Sequence, residues 1–516
     1  MSSKPSSARG ELTVDVAIVG AGPAGLTAGY LLCKAGMRVA IVEKDPAYVG
    51  GISRTVEHRG HRIDIGAAGL KSKNQAVVDL WQEVLPEGFV RPPCVSRIYF
   101  EGKVYTYPLR PFEVLRKFGL WRSGLCLASC LRARLFPVTE VRTFEDWVSN
   151  QFGRRFHSCI LKGYAEKVWG LPANEMSADW ATQRLVGLSL RAAVIDGLKR
   201  IRRLNRPTNE GSEAELRSET FRYPRSGPGR VWEAARRRIE EAGGQVLMGH
   251  GLKQLASDGQ GGWRMIATGA EGQLVVNAAH AISSAPMREL AARLYPLPQS
   301  TIVASQLRYR AVLTVALMIR SDNLFPGGRF YIHDDRVLVG RVSYGPWLPE
   351  TASDERVAGV GLEYFCFEGD ELWSMDDAEL VELAKREMDT LGLVAPEEVM
   401  GGAVVRQETA CPLYDEGHAA HVAAIRTELE EKHPTLHLVG RNGMHRDGGP
   451  DHAVVTAMLT VENILAGERI HDTWSVNADT GHHEESEGAG RTCMPASAPE
   501  ADNESRRAAA SSLKAA

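Results

Sequence analysis

The stretch Val16-Ala17-Ile18-Val19-Gly20-Ala21-Gly22-Pro23-Ala24-Gly25 decides the fold. An apolar, β-branched run enters a glycine loop, and the small-residue stretch Leu26 to Ala35 leaves it with helical character. Arg38 to Glu43 is a second strand, which makes the opening a βαβ unit. Each glycine of the fingerprint has its own reason. Gly20 permits a tight turn, Gly22 lets backbone N–H groups approach a pyrophosphate, and Gly25 lets the helix pack close on the strand. Glu43 ends the next strand about twenty residues on, where a carboxylate accepts ribose hydroxyls and disfavours a 2′-phosphate.

Around this opening the chain runs to 516 residues, enough for two to four domains and a large buried ligand. Its 61 Lys+Arg and 64 Asp+Glu leave a net charge of −3, which favours neither nucleic acid nor anionic membrane as the partner of the whole molecule. A small-molecule substrate is the better expectation. Cysteines at 33, 94, 126, 130, 159, 366, 411 and 493 show no paired CxxC spacing, so neither a zinc site nor a disulfide scaffold is expected. The polar start Met1 to Ser7 leads to the glycine loop without a cleavage signal, and a cytoplasmic protein is expected. No run reaches the roughly eighteen apolar residues of a membrane span. Phe118 to Pro137 comes nearest, with Leu125, Leu127, Leu131 and Leu135 beside Arg122, Arg132 and Arg134. It suits a membrane surface or, preferably, a helix packed on the protein's own core with its arginines solvated.

After the ribose acid come Gly50-Gly51-Ile52-Ser53-Arg54-Thr55 and Gly60-His61-Arg62-Ile63-Asp64-Ile65-Gly66. Here the sequence resembles the flavin amine oxidase, protoporphyrinogen oxidase and UDP-galactopyranose mutase superfamily. That resemblance implies FAD rather than NAD, with Gly50, Gly51, Arg54 and Gly66 near its pyrophosphate and flavin. Arg54 is otherwise a surface arginine. At the far end, Leu436 to Gly443 is a strand running into the turn Gly440-Arg441, and Asp451 to Leu465 is a helix. Its N-terminus, with Asp451, His452 and Ala453, is placed to stabilise negative charge on a reduced flavin, although Asp451 also suits an N-cap. Gly163 to Gly170, containing Tyr164, Lys167 and Trp169, and Tyr223 to Gly229 resemble segments of the mutase branch. Trp169 and Tyr223 become substrate candidates, Trp169 equally a core aromatic.

The resulting expectation is an α/β chain, a Rossmann-type FAD-binding domain of the glutathione-reductase-like kind with an inserted mixed α+β substrate domain. Residues 13–90, 223–300 and 430–470 form the first, and 91–222 and 301–429 the second. Residues 1–12 and 475–516 are expected to be disordered, and Arg202 to Ser218 an exposed loop.

Two chemistries remain open. Mutases carry a histidine beside the flavin where this chain has Ala68, and tyrosines that grip a diphosphate where it has His445, Arg446, Asp447, Gly448 and Gly449. Only Arg446 fits that gripping role, and Asp447 adds a repelling charge. The preferred reading is an oxidoreductase passing hydride from a small organic substrate to FAD, the alternative a non-redox mutase, and the third a flavin-binding protein without turnover. His445 and His452 are the acid/base candidates because imidazole titrates near neutrality, each equally a structural histidine. Lys71 and Lys73 either face substrate or belong to a solvated loop.

Overall fold

The computed structural model describes residues 10–58, 61–66, 70, 72, 74–86, 88–90, 96–107, 109, 111–185, 223–224, 227–320, 328–344 and 357–476. All lie within one compact unit, Met1–Glu484, and the second unit, Glu485–Ala516, falls outside them, as do the expected loop Arg202 to Ser218 and nearly all of the expected tail.

Two large sheets organise the chain. In the first, the strand Glu11–Val19 is central because both its faces are buried. It pairs in parallel with Val39–Val42 on one side and Gly272–Ser283 on the other, and Gln245–Leu247 extends the first side. Leu436–Leu438 joins in parallel alongside Ala281 to Ser283, so a segment from the far end of the chain shares the N-terminal sheet. Gly251–Ser257 and Trp263–Gly269 complete it as an antiparallel run onto Gly272–Ser283. One face is covered by the helices Pro23–Lys34, Gly229–Glu241 and Pro450–Ala466, whose Leu26, Val231 and Val454 share a core with Val16, Ile18 and Ile41.

Two boundaries differ from the sequence reading. The first strand begins at Glu11, inside the segment expected to be disordered, because Glu11 and Leu12 pair with Val275 and Val276. The first helix begins at Pro23, inside the expected glycine loop, since proline at the first helical position is preset in φ and needs no N–H partner. At the C-terminus, Trp474 is buried and Asp472 caps the short turn Thr473–Ser475, so order extends to the edge of the expected tail.

The second sheet runs Val399–Pro412, Tyr309–Arg320, Val357–Cys366, Arg341–Tyr344, Gly328–Ile332, Ser96–Phe100 and Lys103–Thr106. Leu313, Val315, Leu317, Val360, Leu362, Tyr364 and Phe330 bury one face under Leu380, Ala384 and Met388 of the helix Asp377–Thr390. Against the other face lies the hairpin Thr55–His58 and His61–Asp64, whose Ile63 and Ile65 pack on Ala316. A helical block, including Phe144–Phe152 and Lys162–Trp169, adjoins the same sheet through Val312 and Phe365.

The helix Leu120–Leu135 corrects the preferred reading of that segment. Of its residues only Cys130 is buried, while Leu127, Leu131 and Leu135 face outward. Leu127, Leu131 and Leu135 share one face, whereas Leu125 falls on the opposite, half-buried side with Cys126, Ser129 and Cys130.

Candidate functional site

The glycine loop separates packing from binding. A Cβ at Gly25 would stand 1.9 Å from the Gly20 carbonyl oxygen, and one at Gly20, where φ is +95°, 2.4 Å from Ser284 Oγ. Both positions are closed by the protein's own atoms. Gly22 has nothing within 4 Å of such a Cβ. It is the N-cap of Pro23–Lys34 and makes no side-chain cap, so the first amides of that helix meet an open cradle. This is the feature a pyrophosphate requires.

Glu43 lies beside the cradle. Its Oε2 accepts from the Ala21 amide at 2.7 Å and its Oε1 from the Asp45 amide at 3.0 Å. These bonds fix the carboxylate, and each oxygen keeps a lone pair for a ribose hydroxyl. Gly50 donates to the Ala21 carbonyl at 2.8 Å, and a Cβ at Gly51 would lie 3.5 Å from Gly22 Cα, so the second glycine pair sits directly on the first loop. Arg54 donates Nη1 to the Gly51 carbonyl at 3.2 Å, and its buried Nε has no partner among the described residues. That placement favours an inward role for Arg54 over a surface one. Gly66, with φ +75°, lies against the Ile52 carbonyl.

The C-terminal motif reaches the same place. Gly440, with φ +72°, brings the helix Pro450–Ala466 against the first helix, a Cβ there standing 3.0 Å from Ala24 Cβ and 3.8 Å from Ala453 Cβ. Its amide donates to Thr456 Oγ1 at 3.0 Å. Arg441 is committed to the backbone, with Nε donating to Gly448 at 2.8 Å, Nη2 also on Gly448, and Nη1 on Ala410 at 3.2 Å. Asp447 lies 3.7 Å from Arg441 and is buried, so its charge is opposed within the protein. The diphosphate repulsion expected of Asp447 is correspondingly weakened. Arg446 donates Nη1 to the Trp474 carbonyl. At the helix start, His452 Nδ1 accepts from the Gly449 amide at 2.9 Å, with Asp451 3.6 Å away. The amides of Asp451, His452 and Ala453 lie in the first turn, where the helix dipole is positive.

His445 is fully buried, its Nε2 donating to the Arg308 carbonyl at 3.0 Å, and burial pushes its imidazole down to about 3. Its φ of +47° is rare for a side-chain-bearing residue, and its carbonyl accepts from His418 Nε2 at 3.0 Å. The structural alternative for His445 thus accounts for every contact it makes.

The other candidates divide. Trp169 is buried at 5.0 Å edge-on to Trp180, a core aromatic. Lys167, two residues earlier, donates to the Asp334 carbonyl at 2.8 Å and the Ile332 carbonyl at 3.3 Å, tying the helical block to the second sheet, and burial lowers its pKa. Tyr223 is buried and donates its hydroxyl to Asp64 Oδ2. Asp64 Oδ1 accepts from Thr55 Oγ1 at 2.8 Å, and burial raises the carboxyl to about 6. Lys71, Lys73 and Ala68 lie outside the described residues.

Sequence reading missed the buried polar face of the second sheet. With Val360, Leu362, Tyr364, Val342 and Leu313 committed to the covered face, alternation places Arg341, Ser343, Glu363 and Thr314 on the other. The register confirms them as neighbours, Arg341 opposite Glu363 and Glu363 opposite Thr314. Arg341 Nη2 pairs with Glu363 Oε2 at 2.5 Å. Tyr331 is opposite Arg341, and Tyr164 meets Tyr331 edge-on at 6.0 Å. Arg341 Nε, Ser343 Oγ, Thr314 Oγ1 and Gln407 Oε1 are buried without partners among the described residues. A group of such atoms on one face is expensive unless a ligand or water satisfies it. Strand Val399–Pro412 continues this face to the C-terminal turn, its Thr409 carbonyl accepting from Asn442 Nδ2 at 2.7 Å. The sequence signal was a charge inside an apolar strand, Leu362-Glu363-Tyr364.

Comparison with known proteins bears on the fold. Residues 18–84 match the NAD(P)-binding Rossmann-like domain. Thiamine thiazole synthase of Pyrococcus furiosus is 61% identical over 41 residues, 8% of this chain and 16% of that protein. The L-glutamate oxidase precursor of Streptomyces viridosporus is 29% identical over 155 residues, 24% of this chain and 23% of that protein. The chain therefore spans less than a quarter of the length of these curated relatives. The structure of reduced UDP-galactopyranose mutase superposes with a TM-score of 0.74 at 20% identity, covering 90% of this chain and 99% of that one. A structure from Exiguobacterium named for protoporphyrinogen oxidase gives 0.64 at 17%, covering 88% and 98%. A putrescine oxidase variant gives 0.59 at 17%, covering 89% and 100%. At these identities the likeness concerns the fold. The chain thus carries a Rossmann-like domain over residues 18–84, and its fold is that of the solved UDP-galactopyranose mutase, protoporphyrinogen oxidase and putrescine oxidase structures.

Proposed function

We propose that this chain is an FAD-dependent oxidoreductase that takes hydride from a small organic substrate held against the polar face of the second sheet. The observation that carries the reading is the meeting of three remote glycine motifs, at Gly22, Gly51 and Gly440, the last tied through Asn442 to the second sheet, one face of which holds buried polar atoms without partners among the described residues. Residues 13–90, 223–300 and 430–470 form the cofactor domain in this reading, of the glutathione-reductase-like kind, and 91–222 with 301–429 the substrate domain.

FAD supplies the two-electron acceptor when bound. The chain's own groups bind and orient. Amides after Gly22 hold the pyrophosphate, Glu43 takes the ribose hydroxyls, and Arg54 Nε is free to meet a phosphate or ring oxygen. The first turn of Pro450–Ala466 favours negative charge on the pyrimidine side. Arg341 and Glu363 fix the substrate's polar groups, and the Ile63 and Ile65 hairpin closes the face against water.

The test mixes oxidised holoprotein anaerobically with amines, alcohols and amino acids and follows the flavin absorbance. Bleaching by one class, with colour restored by oxygen, supports the proposal. A non-redox mutase is the second reading, favoured by Arg341 and by the pairing of Asp447 with Arg441, which together suit an anionic ligand. Turnover of UDP-galactopyranose only after dithionite reduction would establish that reading instead.

A further inference from the structure

The helix Leu120–Leu135 is built the wrong way round for a surface facing water. Its outward residues are large and apolar, Leu120 79% exposed, Trp121 80%, Leu127 57%, Leu131 53% and Leu135 75%, with Phe136 following at 75%. Its inward side carries Leu125 and the small residues Ser123, Cys126, Ser129 and Cys130. Cys130 is buried, and Ser129 Oγ accepts from the Arg155 amide at 3.1 Å. A Cβ at Gly153 would stand 2.6 Å from the Cys130 amide nitrogen, so this backbone is seated tightly on the neighbouring turn. No rotation turns the leucines inward without opening that contact. Single exposed leucines need no explanation, but a continuous stripe of them does.

We propose that this helix docks the protein on the surface of an anionic lipid bilayer. Charge selects that occupant. The segment from Pro111 to Phe136 contains one acid, Glu113, against Arg116, Lys117, Arg122, Arg132 and Arg134, although the whole chain carries −3. Glu113 is taken by Lys117 at 2.5 Å and Arg122 by Glu101 at 2.8 Å. No acidic side chain pairs with Arg116, Arg132 or Arg134 among the described residues. An outward apolar stripe of Leu and Trp, flanked by unpaired arginines on a helix of 16 residues, suits partial burial at the headgroup boundary. A second copy of the chain would bring the same basic margins face to face, which disfavours self-pairing. Among the described residues no helix is long and apolar enough to cross a membrane, so the contact is peripheral.

The test floats full-length holoprotein with phosphatidylcholine vesicles, with and without phosphatidylserine, at low and high salt. Binding to the anionic vesicles, weakened by salt, is expected. The double variant Leu127→Gln, Leu131→Gln should reduce the bound fraction at least about tenfold. Arg132→Glu with Arg134→Glu should cost about tenfold on anionic vesicles only. Unchanged flavin content and thermal midpoint confirm that the variants fold. Absence of vesicle binding by the wild type overturns the proposal. So does binding indifferent to these substitutions, or a concentration-dependent dimer that Leu131→Gln abolishes while vesicles are ignored.

Discussion

The glycines at 22 and 25 look interchangeable in a motif and differ in physics. Gly25 is held against the Gly20 carbonyl, so Gly25→Ala forces the strand and helix apart. A low yield of folded protein, with a thermal midpoint lowered by several degrees, is the expected outcome. Gly22→Val meets no protein atom at its Cβ and should fold normally while losing FAD, because its side chain occupies the pyrophosphate's space. Circular dichroism and the flavin-to-protein absorbance ratio separate the two effects. Equal flavin content in Gly22→Val and wild type would remove the dinucleotide site from this loop. For Glu43→Ala, loss of charged hydrogen bonds worth about 1.5–3 kcal/mol predicts FAD affinity lower by roughly tenfold to a hundredfold. Reconstitution titrations of the apoprotein measure it.

Between elements, the buried contact of Asp64 with Tyr223 and Thr55 ties the hairpin to the chain entering Gly229–Glu241. Burial raises Asp64 from 3.8 to about 6, so the folded state holds the proton more tightly than the unfolded one. The stability this contributes is fully present below 3.8 and is lost as pH rises through about 6, a span of roughly 3 kcal/mol. Asp64→Asn should therefore flatten the pH dependence of denaturant midpoints between about 4 and 6. An unchanged profile would mean that another group controls that range. Lys167 makes a second such tie, and Lys167→Met leaves the Asp334 and Ile332 carbonyls without their charged donor. A stability loss of about 2–4 kcal/mol in urea unfolding, with FAD retained, is expected.

For the whole molecule, the polar sheet face predicts how substrate handling fails. Glu363→Gln keeps its side-chain volume, Arg341→Gln shortens its side chain, and together they remove the charges proposed to orient a polar substrate. Flavin content should be unaffected and kcat/KM should fall by at least about tenfold, since a misplaced substrate loses its near-attack geometry. A double variant as active as wild type would place the substrate elsewhere.

The sequence by itself determined the βαβ opening and its glycine loop. Those features rest on local rules, glycine's conformational freedom and the period of apolar residues, which act wherever the chain goes. Tertiary structure alone decided the rest. His445 looked titratable and became a buried strut under Tyr309 and His418, because burial and partners set a histidine's role. Leu127, Leu131 and Leu135 share one outward face while Leu125 lies on the half-buried side, because spacing fixes which residues share a face and only the neighbours fix where that face points. Arg341 and Glu363, 22 residues apart in sequence, meet only through strand register, a long-range pairing that no local pattern specifies.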